Sequence, residues 1–152
     1  MRDRIAALGR AHSLASPSGE QQSVCLRALV ETTLEAYSGQ ARIKIEGSDI
    51  IISSDALSSV ALILHEWTVN AAKYGALRTP QGKLTIGWAL ADHHLTIFWK
   101  ETNSSPLPPR NKRGFGTVLI NTSVRQLEGE LKQEMGVYDL HLVLKLPETI
   151  LE

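Results

Sequence analysis

The run His65-Glu66-Trp67-Thr68-Val69-Asn70-Ala71-Ala72-Lys73-Tyr74-Gly75 concentrates the groups best able to do chemistry. On a helix turning about 100° per residue, Glu66, Asn70 and Lys73 fall at i, i+4 and i+7 and form one stripe. A carboxylate, a carboxamide and an ammonium in one line suit a magnesium–phosphate surface. Mg²⁺ prefers oxygen, takes one or two ligands from protein, and leaves the rest to phosphate and water. Asn70 can supply that oxygen, Lys73 can neutralise phosphate, and Glu66 can act as a base or polarise a nucleophile. An ordinary solvated face with an i,i+4 contact would show the same spacing.

Two further segments belong beside this stripe. Gly114-Phe115-Gly116-Thr117 opens a helix, where bare backbone N–H groups and the partial positive charge of a helix start favour an anion. Arg110, Lys112 and Arg113 precede it and could reach phosphate, although a basic loop is as readily just solvated. Glu101 shares parity with Leu95, Ile97 and Trp99, so it extends the inward face of a strand. A carboxylate there is costly unless it accepts hydrogen bonds, and an adenine amino group is a suitable donor. The alternative is a strand that ends first and turns Glu101 into solvent.

The elements that must position these residues follow from periodicity. Arg2–Leu14 has Ile5, Leu8 and His12 at helical spacing before Pro17-Ser18-Gly19. It is too short to be stable alone and must lean on something. A helix is predicted from about Glu20 to Tyr37, burying Val24, Leu26, Leu29, Val30 and Leu34. Ala41–Glu46 alternates as a strand, followed by a short Ile50–Ile52 run. The longest helix is capped at Ser53, Ser54 or Asp55 and runs to about Tyr74, with Leu57, Ala61, Leu64, Thr68 and Ala71 facing the core. Gly75 falls where a left-handed cap is wanted.

Two strands carrying Leu84, Ile86, Trp88, Leu90 and then Leu95, Ile97, Trp99 bend at Asp92-His93. Residues 102–113 hold Pro106, Pro108 and Pro109 and form a long loop. Thr117–Leu127 is helical, and Gly129 stops it. Glu130–Met135 and Tyr138–Leu146 close the chain as a hairpin with Tyr138, Leu140, Leu142, Leu144 and Leu146 on one face. The fold class is α+β: a two-layer sandwich, its sheet mixed but mostly antiparallel, with helices on one face.

Composition narrows the class. The chain has 152 residues, 43% hydrophobic and 21% charged, which suits one domain. Lys+Arg and Asp+Glu are 16 each, so there is no basic excess to draw nucleic acid or a membrane surface. The single Cys25 cannot make an internal disulfide or a cysteine zinc cage and fits a reducing, cytoplasmic setting. Val60–Leu64 is the longest apolar run, far short of a membrane span. Charge, not an apolar stretch, follows Met1, unlike a signal peptide.

The residues resemble a family. His65 to Leu77, then Trp99-Lys100-Glu101, then Gly114-Phe115-Gly116-Thr117 are similar in order and spacing to the catalytic ATP-binding domain of HWE-type sensor histidine kinases. A histidine directly before the N-box glutamate and a Trp-x-Glu strand end mark that subclass. The resemblance spans about residues 20–147 and implies a Bergerat-type α/β sandwich, binding ATP and Mg²⁺, that phosphorylates a histidine elsewhere.

It assigns Glu66 and His65 to catalysis, Asn70 to the metal, and Asn70, Lys73, Tyr74, Glu101, Arg113, Gly114, Phe115, Gly116 and Thr117 to the nucleotide. His65 is a subclass marker that the spacing does not explain; a lone helical histidine is more often a bonded core residue. Implied partners are the histidine-bearing dimerisation helices of a homodimeric parent and a response regulator. Residues 1–15 would end the second dimerisation helix, 16–150 form the ATP-binding domain, and 151–152 could be a cloning scar or natural sequence. His12, His93, His94 and His141 lack the flanking Arg and Asn of a phosphoacceptor box, as in a fragment that cannot phosphorylate itself.

One departure stands out: Thr102-Asn103-Ser104-Ser105 follows the Trp-x-Glu where the subclass usually has glycines. It motivates an alternative, a non-catalytic module of the same fold that docks a response regulator. A serine kinase of the anti-sigma-factor type fits less well, since those lack the histidine before the glutamate and the Trp-x-Glu.

Overall fold

The computed structural model describes residues 4, 6–9, 23–39, 41–107 and 115–152. Among these residues, seven strands and three helices carry the fold: β1 (Val24–Cys25), α1 (Leu26–Leu34), β2 (Arg42–Glu46), β3 (Ile51–Ile52), α2 (Ser54–Tyr74), β4 (Lys83–Ala91), β5 (His94–Thr102), α3 (Phe115–Gln126), β6 (Glu130–Met135) and β7 (Asp139–Pro147). Residues 4 and 6–9 are helical as well. The main sheet has the order β2-β4-β5-β7-β6; only β2 and β4 run parallel. β1 and β3 pair separately, and Leu151 bridges to Ile52 while the Glu152 N–H donates to Ile51 O.

One face of the sheet makes the core. Leu84, Ile86 and Trp88 of β4, Leu95, Ile97 and Trp99 of β5, and Leu140, Leu142, Leu144 and Leu146 of β7 are all buried. Over them lies α2, whose Leu57, Ala61, Leu64, Thr68 and Ala71 are buried as the helical period requires. On the opposite parity Lys100 and Lys145 are exposed, while Thr96, Phe98, His141 and Val143 are half-buried. This is the two-layer α+β sandwich expected. The β4–β5 turn has positive φ at Asp92 (53°) and His93 (60°), the backbone of a two-residue hairpin turn whose twist matches its strands.

Five details differ from the sequence reading. Val24 is buried in a strand, not a helix, because Val24 and Cys25 pair with Ile52 and Ile51 and α1 begins only at Leu26. Gly75 is not left-handed: its φ is −127°, and its requirement for glycine comes from a neighbour described below. At the end of α3 the left-handed residue is Glu128 (φ 56°), with the Gly129 N–H donating to Val124 O and the Glu128 N–H to Arg125 O, a Schellman closure one residue before the glycine. Leu90 and Tyr138 share the inward parity yet are exposed, since both lie at the rim of the sheet. Residues 20–22, 10–14 and 108–114 of the expected elements lie outside the described residues.

Candidate functional site

The helix α2 is covered on two sides, and this decides what its polar stripe can do. Its core side rests on the sheet; another side meets α3 and the N-terminal helical residues. Ser59 near the start of α2 donates to Gln126 at the end of α3 (3.1 Å). Seven residues further along α2, Glu66 lies against Gly116 at the beginning of α3. The two helices are therefore antiparallel, and the α3 N-terminus faces the Glu66 carboxylate. A Cβ on Gly116 would overlap that carboxylate, so the close approach needs glycine.

Glu66 is only 2% exposed, which excludes an ordinary solvated face. A buried carboxylate needs a counter-charge, and Arg4 provides it: its Nε donates to Glu66 Oε1. Arg4 lies 62 positions away in sequence and carries no spacing signal, so sequence reasoning missed it. One turn along, Asn70 is half-buried, and Lys73 and Tyr74 are exposed. The stripe thus grades from interior to surface along its length.

Glu101 lies at the other end. β5 continues through it, and it is 1% exposed, so the inward parity holds and the solvent alternative fails. Its cross-strand neighbours are Leu84 and Leu140, so among the described residues hydrogen bonds compensate its burial. Oε1 accepts the Ala76 N–H (2.9 Å), and Oε2 accepts the indole N–H of Trp99 (2.8 Å). Trp99 in turn packs on Trp67, ring centroids 5.5 Å apart at 60°, a favourable tilted aromatic pair. The Trp-x-Glu spacing thereby acquires a physical reason: residues two apart share a strand face, so the indole of one can hold the carboxylate of the other. A Cβ on Gly75 would overlap Glu101 Oε1.

The segment after Glu101 is anchored. Asn103 is 8% exposed, and its backbone N–H (2.8 Å) and Nδ2 (3.1 Å) both donate to Tyr138 O. The Leu107 N–H donates to Val137 O (2.7 Å). Asn103 therefore stitches this strand end to the β6–β7 turn, a bond that a glycine side chain could not make.

Among the predicted site residues, the structure gathers Glu66, Asn70, Lys73 and Tyr74 on the last turns of α2, with Gly116 and the half-buried Thr117 at one end and Glu101 at the other. His65 stands apart. It is 7% exposed and lines a cavity of about 440 Å³ with Ala6, Thr33, Tyr37, Thr68 and Val69. Arg110, Lys112, Arg113 and Gly114 lie outside the described residues, as does the side chain of Phe115. Among the described residues, no group of three His, Cys, Asp or Glu could hold a metal, so a metal here would need ligands beyond such a cluster. No described helix is long and apolar enough to cross a membrane.

Comparison with known proteins bears on the family and the fold. The HWE histidine kinase family matches residues 1–49. A blue-light-activated histidine kinase of Rhizobium johnstonii is 32% identical over 149 residues, covering 96% of this chain and 43% of that protein. One from Erythrobacter litoralis is 27% identical over 151 residues, covering 95% and 42%. The chain thus spans less than half the length of these relatives. In fold, it resembles the histidine kinase domain of the Erythrobacter litoralis EL346 blue-light activated histidine kinase (TM-score 0.76, 13% identity, 97% of this chain and 79% of that one). It also resembles the catalytic domain of histidine kinase ThkA (TM-score 0.66, 14% identity, 85% and 96%).

Proposed function

We infer that this chain, a catalytic domain of the HWE histidine kinase type, binds ATP with Mg²⁺ along the end of α2 and directs the γ-phosphoryl group to a histidine on the dimerisation helices of its parent kinase. The observation that carries this is one helix presenting Glu66, Asn70 and Lys73 between a glycine-started helix and a buried carboxylate. From Glu66 to Gly75 the helix rises about 13 Å, a length that suits phosphates toward Gly116 and a purine toward Glu101.

The donor set fits the ligands. A carboxylate has about four acceptor sites. Glu101 uses two on Ala76 and Trp99, which leaves capacity for an adenine amino group. Gly75 and Gly116 lack the Cβ atoms that would crowd the two ends. Asn70 offers a neutral oxygen for Mg²⁺, and Lys73 offers an exposed ammonium for phosphate. Asn70 would hold the magnesium ion, which would offset the charge of the transferring phosphoryl group.

Everything else is positioning by the chain itself. The N–H groups at the start of α3 favour phosphate. Glu66 would orient the acceptor imidazole or take its proton, and for that it must exchange Arg4 for the incoming ring. On this reading the Arg4–Glu66 pair is a resting arrangement, in which Arg4 holds the carboxylate until the acceptor replaces it. A cytoplasmic location and a response regulator as the next acceptor complete this reading.

Anchoring of Asn103 on Tyr138 favours one second reading, a non-catalytic module that docks a regulator, because it restrains a segment that glycines would leave free. Glu66→Gln in the kinase bearing its acceptor helix separates the two. Phosphohistidine yield should fall about 100-fold or more, the usual scale for a lost general base, with ATP affinity nearly unchanged. An unchanged yield would favour the docking module.

A further inference from the structure

Among the described residues the sheet ends on β2, and no further strand pairs with that edge. The Arg42 N–H donates to Gly82 O (3.1 Å) at the start of the parallel pairing with β4. Backbone groups alternate sides along a strand, so residues 42, 44 and 46 address β4. Ile43 and Ile45 then turn their N–H and C=O outward, and among the described residues no partner meets them. Natural edges are usually covered or blocked by charge. Here Arg42, Lys44 and Glu46 are exposed, with Lys44 Nζ 3.5 Å from Glu46, and they occupy the opposite parity from the half-buried Ile43 and Ile45.

Beside this edge lies a trough of about 320 Å³ between α1 and β2, lined by Glu31, Leu34, Glu35, Ser38, Ile43 and Ile45. Its floor is apolar. Its rim is acidic, because Glu31 and Glu35 are exposed and one helical turn apart. Arg27, the one cation of α1, is committed elsewhere: Nη2 donates to Gly47 O (2.7 Å), and the guanidinium lies 5.5 Å from the Trp88 ring. The opposite edge, β6, is exposed at five of its six residues, and neither described cavity borders it.

We propose that the β2 edge and its trough form a docking site for an extended basic–apolar peptide segment of another polypeptide, which adds as a sixth strand. Main-chain bonds to Ile43 and Ile45 would supply affinity, and alternate side chains would supply selection. Residues i and i+2 of the added strand face the trough. Valine there covers Leu34, Ile43 and Ile45; lysine or arginine lays its stem on the same floor and its charge against Glu31 or Glu35. This surface is independent of the nucleotide site, and its test does not depend on ATP.

A labelled short peptide alternating threonine with valine and lysine is titrated against the chain by fluorescence anisotropy, beside the same peptide with glutamate for lysine. Amide exchange is followed in parallel. The basic peptide should bind saturably, slow exchange at Ile43 and Ile45, and bind at least about tenfold better than the acidic one. Glu31→Lys with Glu35→Lys, both at exposed positions, should reverse that preference while leaving ATP affinity unchanged. The proposal is overturned if the basic peptide does not saturate, if both peptides bind equally, if protection appears on β6, or if the chain pairs with a second copy through β2 instead.

Discussion

If the indole of Trp99 is what keeps the Glu101 carboxylate in place, the two residues must be energetically coupled, and the coupling has a predictable size. Glu101 is 1% exposed and held by two N–H donors at 2.8 and 2.9 Å. A hydrogen bond to a charged group contributes about 1.5–3 kcal/mol. Trp99→Phe deletes one donor and leaves a void, for a loss of about 3–4 kcal/mol. Glu101→Gln keeps the shape, but when its oxygen stays on Ala76 its NH₂ group faces the indole N–H, and the loss is about 2–4 kcal/mol.

With Phe at position 99 that donor–donor conflict is gone, so the glutamine should then cost about 1 kcal/mol or less. Urea unfolding of the four proteins gives the cycle, with equal slopes required for the comparison. A domain stable by about 5–15 kcal/mol tolerates each change. A coupling energy of about 1–4 kcal/mol is expected. A value under about 0.5 kcal/mol would refute the claim that Trp-x-Glu works as a unit.

Other substitutions test neighbouring contacts. Arg4→Ala strands a buried carboxylate; because the Arg4 side chain is 25% exposed, the loss should be about 1–2 kcal/mol, below that of a fully buried pair, and an unchanged urea midpoint would contradict the pairing. Gly75→Ala drives a Cβ into Glu101 Oε1 and should lower stability by about 1–3 kcal/mol, against the gain usual where a glycine of negative φ is replaced by alanine. Glu128→Gly should instead raise the melting temperature, by relieving about 0.5–1 kcal/mol at φ 56°; a fall in melting temperature would count against the closure described for α3.

The parts legible in the sequence were those set by local periodicity. Ser53, the apolar spacing of Leu57, Ala61 and Leu64, and Gly75 bound α2 to within a residue. Strand parity placed Glu101 inside, and its two-residue spacing from Trp99 held the pairing in plain view. What escaped depends on distant partners. Val24 joins a strand only because Ile52 lies beside it. Gly75 looks like a cap, yet its constraint is the side chain of Glu101, 26 positions on. Arg4 reaches Glu66 across 62 positions through packing that no local pattern encodes. The edge exposed at β2 follows from a parallel pairing with β4, which alternation alone does not distinguish from an antiparallel one.

Calorimetric titration of ATP, with and without Mg²⁺, into the wild-type chain and Asn70→Ala tests the central claim most directly. Alanine is well tolerated in a helix, so the variant should remain folded. The wild type should give a saturable heat that Mg²⁺ strengthens, and the variant should lose the magnesium increment, about tenfold or 1.4 kcal/mol. No heat in the wild type, or a magnesium effect of equal size in both proteins, would contradict the assignment of Asn70 and α2 to a metal–nucleotide site.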